Sequence, residues 1–189
     1  MFKNKIILAS QSPRRKQLLE WAEIPFSVIV KETDESYPLH LPVNEVAMHI
    51  AYNKAMEVKK KIDSNEPILA ADTIVVLNAE IIGKPTDRAN AIEILSKLSG
   101  QKHHVITGVV ILYGDKLIQF SDTSEVEFYT LTQEQIEFYV DNYKPYDKAG
   151  AYAIQEWIGV TGIKSIQGDF YNIMGLPVSK VIQALHTIF

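Results

Sequence analysis

Lys5-Ile6-Ile7-Leu8-Ala9-Ser10-Gln11-Ser12-Pro13-Arg14-Arg15 runs a short apolar strand straight into a helix start. Ser12 is a favourable N-cap, and Pro13 suits the first helical position, where its missing N–H is not needed. Strand and helix patterns keep alternating beyond this segment, with short polar connectors, so the class is α/β. The same segment is a candidate anion site. Helix-start amides and two guanidinium groups both favour a tetrahedral oxyanion, and phosphate is the natural one. A surface helix with solvated arginines is the alternative that the segment leaves open.

Outward from it, the spacing of apolar and turn residues predicts a first helix over 12–22 and a second strand over 26–30. Thr33-Asp34-Glu35-Ser36 is an acidic turn, and the longest helix follows over 42–62, with Val43, Val46, Ala47, Ile50, Ala51 and Val58 at helical spacing. A buried strand over 67–77 ends in a turn at Asn78-Ala79, and Thr86 is expected to cap a helix through Leu98 that stops at Gly100. Long strands over 103–113 and 116–130 are joined by Gly114-Asp115, a favourable hairpin turn. Thr132-Gln133-Glu134-Gln135 reads as a capping box for a helix to about Tyr143. Short strands over 151–155 and 162–166, a Gly168-Asp169 turn and a last helix from Pro177 complete the pattern. No linker marks a boundary between independent domains, so residues 1–189 read as one domain or two closely packed lobes.

The 189 residues are 47% hydrophobic, enough for a sizeable core. No apolar run is long enough to span a bilayer, and Met1-Phe2-Lys3-Asn4-Lys5 leads into a strand too short for a signal peptide. With no cysteine there are no disulfides or thiolate metal sites, and the expected address is cytoplasmic. The net charge of -4 argues against non-specific nucleic-acid binding. Basic charge is concentrated near the start, where Lys3, Lys5, Arg14, Arg15 and Lys16 face only Glu20, a patch suited to a small anion.

Asp72 interrupts Ile68-Leu69-Ala70-Ala71 and Ile74-Val75-Val76-Leu77, a run otherwise read as buried strand. An unpaired carboxylate there is costly, so it needs a cation, a metal or a raised pKa; pairing with a structural arginine is the plainer alternative. Lys54 falls on the apolar stripe of the long helix, where its stem either snorkels to water or its ammonium is held to meet phosphate or a carboxylate. In Ile82-Gly83-Lys84-Pro85 the glycine permits an unusual turn and the proline stiffens it, aiming one cation from a defined loop. Glu35 gains interest as a second oxygen ligand beside Asp72, since Mg²⁺ on a triphosphate takes one or two carboxylates. His103 and His104, successive strand residues, point to opposite faces and do not share an ion. Asp147-Lys148-Ala149-Gly150-Ala151-Tyr152-Ala153-Ile154-Gln155 combines charge, small residues and an amide. Gln155 either reads a nucleobase edge, complementing N3–H and carbonyls of uracil or thymine, or bonds to nearby backbone.

Together these segments resemble the Maf family of nucleoside triphosphate pyrophosphatases, from Leu8 nearly to the C-terminus. The resemblance is carried by Leu-Ala-Ser-Gln-Ser-Pro-Arg-Arg at 8–15, Ala-Asp-Thr-Ile-Val at 71–75 and Gly-Lys-Pro at 83–85. Leu-Ser-Gly at 98–100, Thr-Gly-Val at 107–109, Asp-Lys-Ala-Gly-Ala-Tyr at 147–152 with Ile154-Gln155, and Gly-Leu-Pro at 175–177 complete it. It implies a mixed central sheet flanked by helices, in two lobes around a nucleotide cleft, and a homodimer. It implies hydrolysis of a nucleoside triphosphate between the α and β phosphates, with a divalent cation, Mg²⁺ or Mn²⁺. Asp72 would accept the proton of the attacking water and Glu35 would assist metal binding beside it. Ser10, Arg15, Lys54 and Lys84 would hold the phosphates. Arg14, Thr73 and Gln155 match the pattern of the branch with dTTP/UTP pyrophosphatase activity. Glu156-Trp157 departs from the family pattern, which has glycine after the glutamine. The family name is tied to inhibition of septum formation, so a regulatory binding protein is a second reading, and phosphate-ester or nucleotidyl transfer a third.

Overall fold

A computed structural model describes residues 4–189; Met1, Phe2 and Lys3, the last counted in the basic N-terminal patch, lie outside the described residues. The opening segment folds as expected. Strand β1 (Ile6–Leu8) is fully buried, and Ser12 caps helix α1 (Pro13–Trp21) by accepting from the Arg15 amide. β2 (Phe26–Val28), α2 (Val43–Lys59), β3 (Ile68–Leu77) and α3 (Arg88–Leu98) follow the expected order. So do β5 (Lys102–Tyr113), β6 (Lys116–Phe128), α4 (Gln133–Tyr143), β7 (Ile163–Gln167) and α7 (Val178–His186). The sheet order is β2-β1-β3-β5-β6-β7, with β4 (Glu80–Ile82) also paired to β3. It is a mixed sheet: β1 is parallel to β2 and β3, whereas β4 on β3 and β7 on β6 are antiparallel.

Five local expectations are corrected. β4 was not expected: Asn78 and Ala79 take left-handed backbone (φ 50° and 67°), the geometry of a two-residue hairpin, and a three-residue strand is too short to show a period. Asp87, not Thr86, caps α3, because its carboxylate reaches the Asn90 amide at 2.9 Å while Thr86 lies one residue too early. The strand expected over 151–155 is absent. Ala149–Ala151 is a 3-10 turn with left-handed Gly150 and Ala151 (φ 71° and 59°), and the chain then enters helix α5 (Trp157–Gly162). Residues 151–154 are buried, as a strand would be, but by close packing: a Cβ on Gly150 would lie 2.9 Å from a Val75 methyl. Finally, a short helix α6 (Phe170–Met174) follows Gly168, where only a turn was expected. Gly83 also needs no special turn; its φ is not left-handed and a Cβ there would meet open space.

The chain divides into two compact units. The first holds the residues up to Thr73, then Thr107–Asp122 and Gly175–Phe189. Its core is α2 laid on strands: Ala51, Ala55 and Val58 pack with Ile7, Ala9, Ile68, Ala70, Val110 and Leu112. Ala47, Ala51 and Ala55 recur every fourth residue and are fully buried, so the helix presents a ridge of methyl groups and comes close to the strands. At Gly108 the strand backbone lies directly against the helix, for a Cβ there would sit 2.2 Å from the Met48 amide nitrogen.

The second unit holds Ile74–Ile106 and Thr123–Met174. There α3 packs against α4 and against the 3-10 turn, and α4 opens with the expected capping box between Thr132 and Gln135. His103 is fully buried, stacked on Phe128 and edge-on to Tyr152, whose hydroxyl lies 2.8 Å from Nε2; His104 on the opposite face is half exposed. Burial, and secondarily the neighbouring His104, pushes the His103 pKa down from 6.5 to about 4. The native state therefore keeps this ring neutral while the unfolded chain takes up a proton. Stability is lost as pH falls from 6.5 towards 4, by about 2 kcal/mol between pH 7 and pH 5 from this group. Urea titrations at the two pH values are expected to show that loss, and to show it reduced in His103→Gln; equal losses in both proteins would remove His103 as its origin. Among the described residues, no helix is long and apolar enough to cross a membrane.

Candidate functional site

In the first unit the β1–α1 turn supplies Ser10, the first turn of α1 supplies Arg15, the segment after β2 supplies Glu35, α2 supplies Lys54, and β3 supplies Asp72 and Thr73. Lys54 resolves the anomaly at Asp72. Its Nζ lies 2.6 Å from Asp72 Oδ1 and 2.7 Å from Glu35 Oε1, so one ammonium links the two carboxylates. The lysine is held rather than snorkelling, and the partner of Asp72 is a lysine rather than a structural arginine. Exposure decides which contact matters more. Asp72 and Lys54 are well shielded, at 14% and 18% side-chain exposure, whereas Glu35 is 48% exposed and its contact is screened by water.

Arg15 is buried, and its fork is committed to the protein. Nε donates to the Gly175 carbonyl at 2.8 Å, Nη1 to Ser10 Oγ at 3.1 Å and Nη2 to Thr73 Oγ1 at 3.0 Å. Each bond matters because a buried donor left without a partner costs about 1–3 kcal/mol. Burial pulls the guanidinium pKa down, and the nearby Asp72 carboxylate opposes this. Ser10 Oγ also accepts from the Ser12 amide at 3.2 Å, so it braces the turn as well as the arginine. Thr73 joins Arg15 to Thr107, its Oγ1 lying 2.9 Å from the Thr107 hydroxyl. Gly175 earns its place by conformation: with φ +114° its carbonyl turns to Arg15, and a Cβ would approach Arg15 Nε to 3.6 Å. Arg14 is partly exposed, and its charge is felt at Arg15.

Lys84 and Gln155 belong to the second unit, and both are exposed. The Gly150 amide donates to the Gly83 carbonyl at 3.1 Å, which ties the Lys84 loop to the 3-10 turn. Gln155 stands between buried Ile154 and Glu156, the residue that departs from the family pattern. Glu156 is engaged: its carboxylate accepts from the Tyr139 hydroxyl, and the buried ammonium of Lys148 lies 3.6 Å from Oε1 and 2.7 Å from Asp147 Oδ1. The sequence places Thr107 and Lys148 within motifs but gives neither a role, and it does not single out Tyr139. The signal for Lys148 was present, as a lysine beside the small residues Ala149-Gly150-Ala151; Tyr139 reads from sequence only as one more apolar position on α4.

Among the described residues no group of three or more histidine, aspartate or glutamate side chains is gathered as a metal cage. Glu35 and Asp72 are nonetheless a fitting donor pair. Both lie within 2.7 Å of one cation, as hard oxygens, and Mg²⁺ takes one or two carboxylates and keeps several waters.

A protein-family profile described as Maf-like protein matches residues 5–188. A curated protein of Cytophaga hutchinsonii named dTTP/UTP pyrophosphatase is 51% identical over 184 residues, covering 97% of this chain and 84% of its own. A Parabacteroides distasonis protein of the same name is 48% identical over 184 residues, covering 97% of this chain and 95% of its own. A solved structure described as the Staphylococcus aureus Ham1 protein aligns with a TM-score of 0.46 at 17% identity, over 66% of this chain and 72% of that one, a likeness too partial to bear on the chemistry. The profile spans the ordered motifs from the β1–α1 turn to Gly-Leu-Pro at 175–177, and the chain belongs to the family of Maf-like proteins.

Proposed function

We propose that this protein hydrolyses nucleoside triphosphates, dTTP and UTP foremost, to the monophosphate and pyrophosphate with a divalent cation. The observation that carries the reading is the Glu35–Lys54–Asp72 contact, in a chain whose relatives are named dTTP/UTP pyrophosphatase. The oxygen of water attacks the α phosphorus, the bond from that phosphorus to the bridging oxygen breaks, and pyrophosphate leaves with the bond's electron pair. Asp72 takes the proton of the attacking water. Glu35 and Asp72 would hold Mg²⁺ or Mn²⁺, which when bound polarises phosphoryl oxygens and offsets triphosphate charge. Lys54 keeps the two carboxylates together until substrate arrives and then has phosphate oxygens within its reach. Arg15, fixed by Ser10, Thr73 and Gly175, contributes a positive charge whose position costs no reorganisation. Lys84 is assigned to phosphate, and Arg14, Thr73 and Gln155 to discrimination among bases.

The test is pyrophosphate release by purified protein from dTTP, UTP, CTP and GTP in Mg²⁺ or Mn²⁺. Release from dTTP and UTP is expected to exceed that from GTP, and orthophosphate as the sole product would overturn the reading. EDTA is expected to stop the reaction and excess Mg²⁺ to restore it. Undiminished turnover in EDTA would remove the metal from the assignment of Glu35 and Asp72.

A further inference from the structure

The Gln155 segment is held at both ends by one side chain of another element. Tyr139, fully buried on α4, accepts from the Ala153 amide at 3.1 Å and donates to the Glu156 carboxylate. Its hydroxyl therefore clasps the chain two residues before Gln155 and one residue after it. Glu156 is fixed independently of Tyr139. Its amide donates to the Ala153 carbonyl at 3.1 Å, and its carbonyl accepts from Gly159 at 2.9 Å and Val160 at 3.2 Å, as the N-cap residue of α5. Its second carboxylate oxygen faces the Lys148 ammonium, itself paired with Asp147. The first turn of α5 lies against the same segment, since a Cβ on Gly159 would fall 1.8 Å from the Ile154 carbonyl oxygen. An exposed amide side chain is thus carried on a four-residue bend whose backbone is clamped by a buried phenol and a carboxylate.

We infer that Tyr139 and Glu156 are positioning residues that set the orientation of Gln155 and thereby base selectivity. The inference rests on the proposed function, in which Gln155 discriminates among bases. The physical reason is that an amide reads a base by two hydrogen bonds of opposite sense, and such reading requires the amide to be held in place; a bend free to rotate offers donor and acceptor alike to uracil and cytosine. Neither Tyr139 nor Glu156 needs to touch a nucleotide for this.

Tyr139→Phe keeps the ring in the core and removes only the clasp, Glu156→Ala removes the carboxylate, and Glu156→Gln keeps an acceptor for the phenol. The measurement is kcat and KM for UTP and CTP in the full-length protein, with thermal melting of each variant. Tyr139→Phe and Glu156→Ala are expected to reduce the UTP-to-CTP ratio of kcat/KM by up to about tenfold, the worth of one oriented hydrogen bond, mostly through KM for UTP. Glu156→Gln is expected to retain most of the wild-type ratio. An unchanged ratio in Tyr139→Phe overturns the inference, as does an equal fall in kcat for both substrates, which marks a merely structural residue. Wild-type protein that releases pyrophosphate from no triphosphate overturns the proposed function, and this inference with it; an active wild type with unaltered variants overturns the inference alone.

Discussion

Asp72→Asn is expected to lower pyrophosphate release from dTTP and UTP by about a thousandfold, within the range typical for loss of a positioned acid–base group. The amide keeps the shape of the side chain and an oxygen for the Lys54 ammonium, but it cannot take the proton of water or serve as an anionic metal ligand. The fold should survive. Glu35, 2.7 Å from the same ammonium, continues to pair with Lys54, and Arg15, though it loses the Asp72 charge, keeps its bonds to Gly175, Ser10 and Thr73. The melting temperature is therefore expected to stay within a few degrees of wild type, at roughly 2–4 °C per kcal/mol for a chain of this size. Activity within a few-fold of wild type in a folded Asp72→Asn protein would show that another group accepts the proton.

Gly108→Ala is expected to have the largest effect on stability. The new methyl carbon would stand 2.2 Å from the Met48 nitrogen and 2.4 Å from the Ala47 carbonyl carbon, both backbone atoms of α2. No side-chain rotation relieves that overlap. The helix has to lift from the strand, and the fully buried contacts of Ala47, Ala51 and Ala55 open with it. Overpacking a core costs about 1–3 kcal/mol where side chains can yield. Here the backbone must move, so a loss of about 3 kcal/mol or more is expected, read as a fall in melting temperature of roughly 6–12 °C. Because α2 also carries Lys54, the altered helix should weaken substrate turnover at temperatures well below the melt. A variant that melts with the wild type would mean that α2 does not approach β5 as closely as the structure shows.

Much of the fold was legible from local chemistry. The Ser12-Pro13 start of α1, the Thr132–Gln135 capping box and the Gly114-Asp115 hairpin all occur where the sequence predicts them. Each depends on residues a few positions apart, so its physics is written locally. The errors have the opposite origin. The segment 151–155 carries a buried apolar run, yet it is a turn, because Gly150 and Ala151 take left-handed backbone and Gly150 lies against Val75, far away in the chain. β4 escaped notice because three residues are too few for alternation to register.

The candidate site divides in the same way. Sequence alone marks the residues that are out of place, a carboxylate inside an apolar strand, a lysine on an apolar helix stripe and two arginines after a strand, and it carries the ordered motifs of the family. Their partners come from the packed fold. Asp72 is 18 residues from the lysine that pairs with it, and Arg15 is 58 residues from Thr73 and 160 from the Gly175 carbonyl it holds. It also turned a departure from the family pattern, Glu156, into an acceptor for a buried tyrosine. The physical reason is range. Backbone periodicity and capping act over a turn or two, so local sequence specifies them, whereas the partner of a buried charge is chosen by ångström-scale distances that exist only once helices and strands have packed.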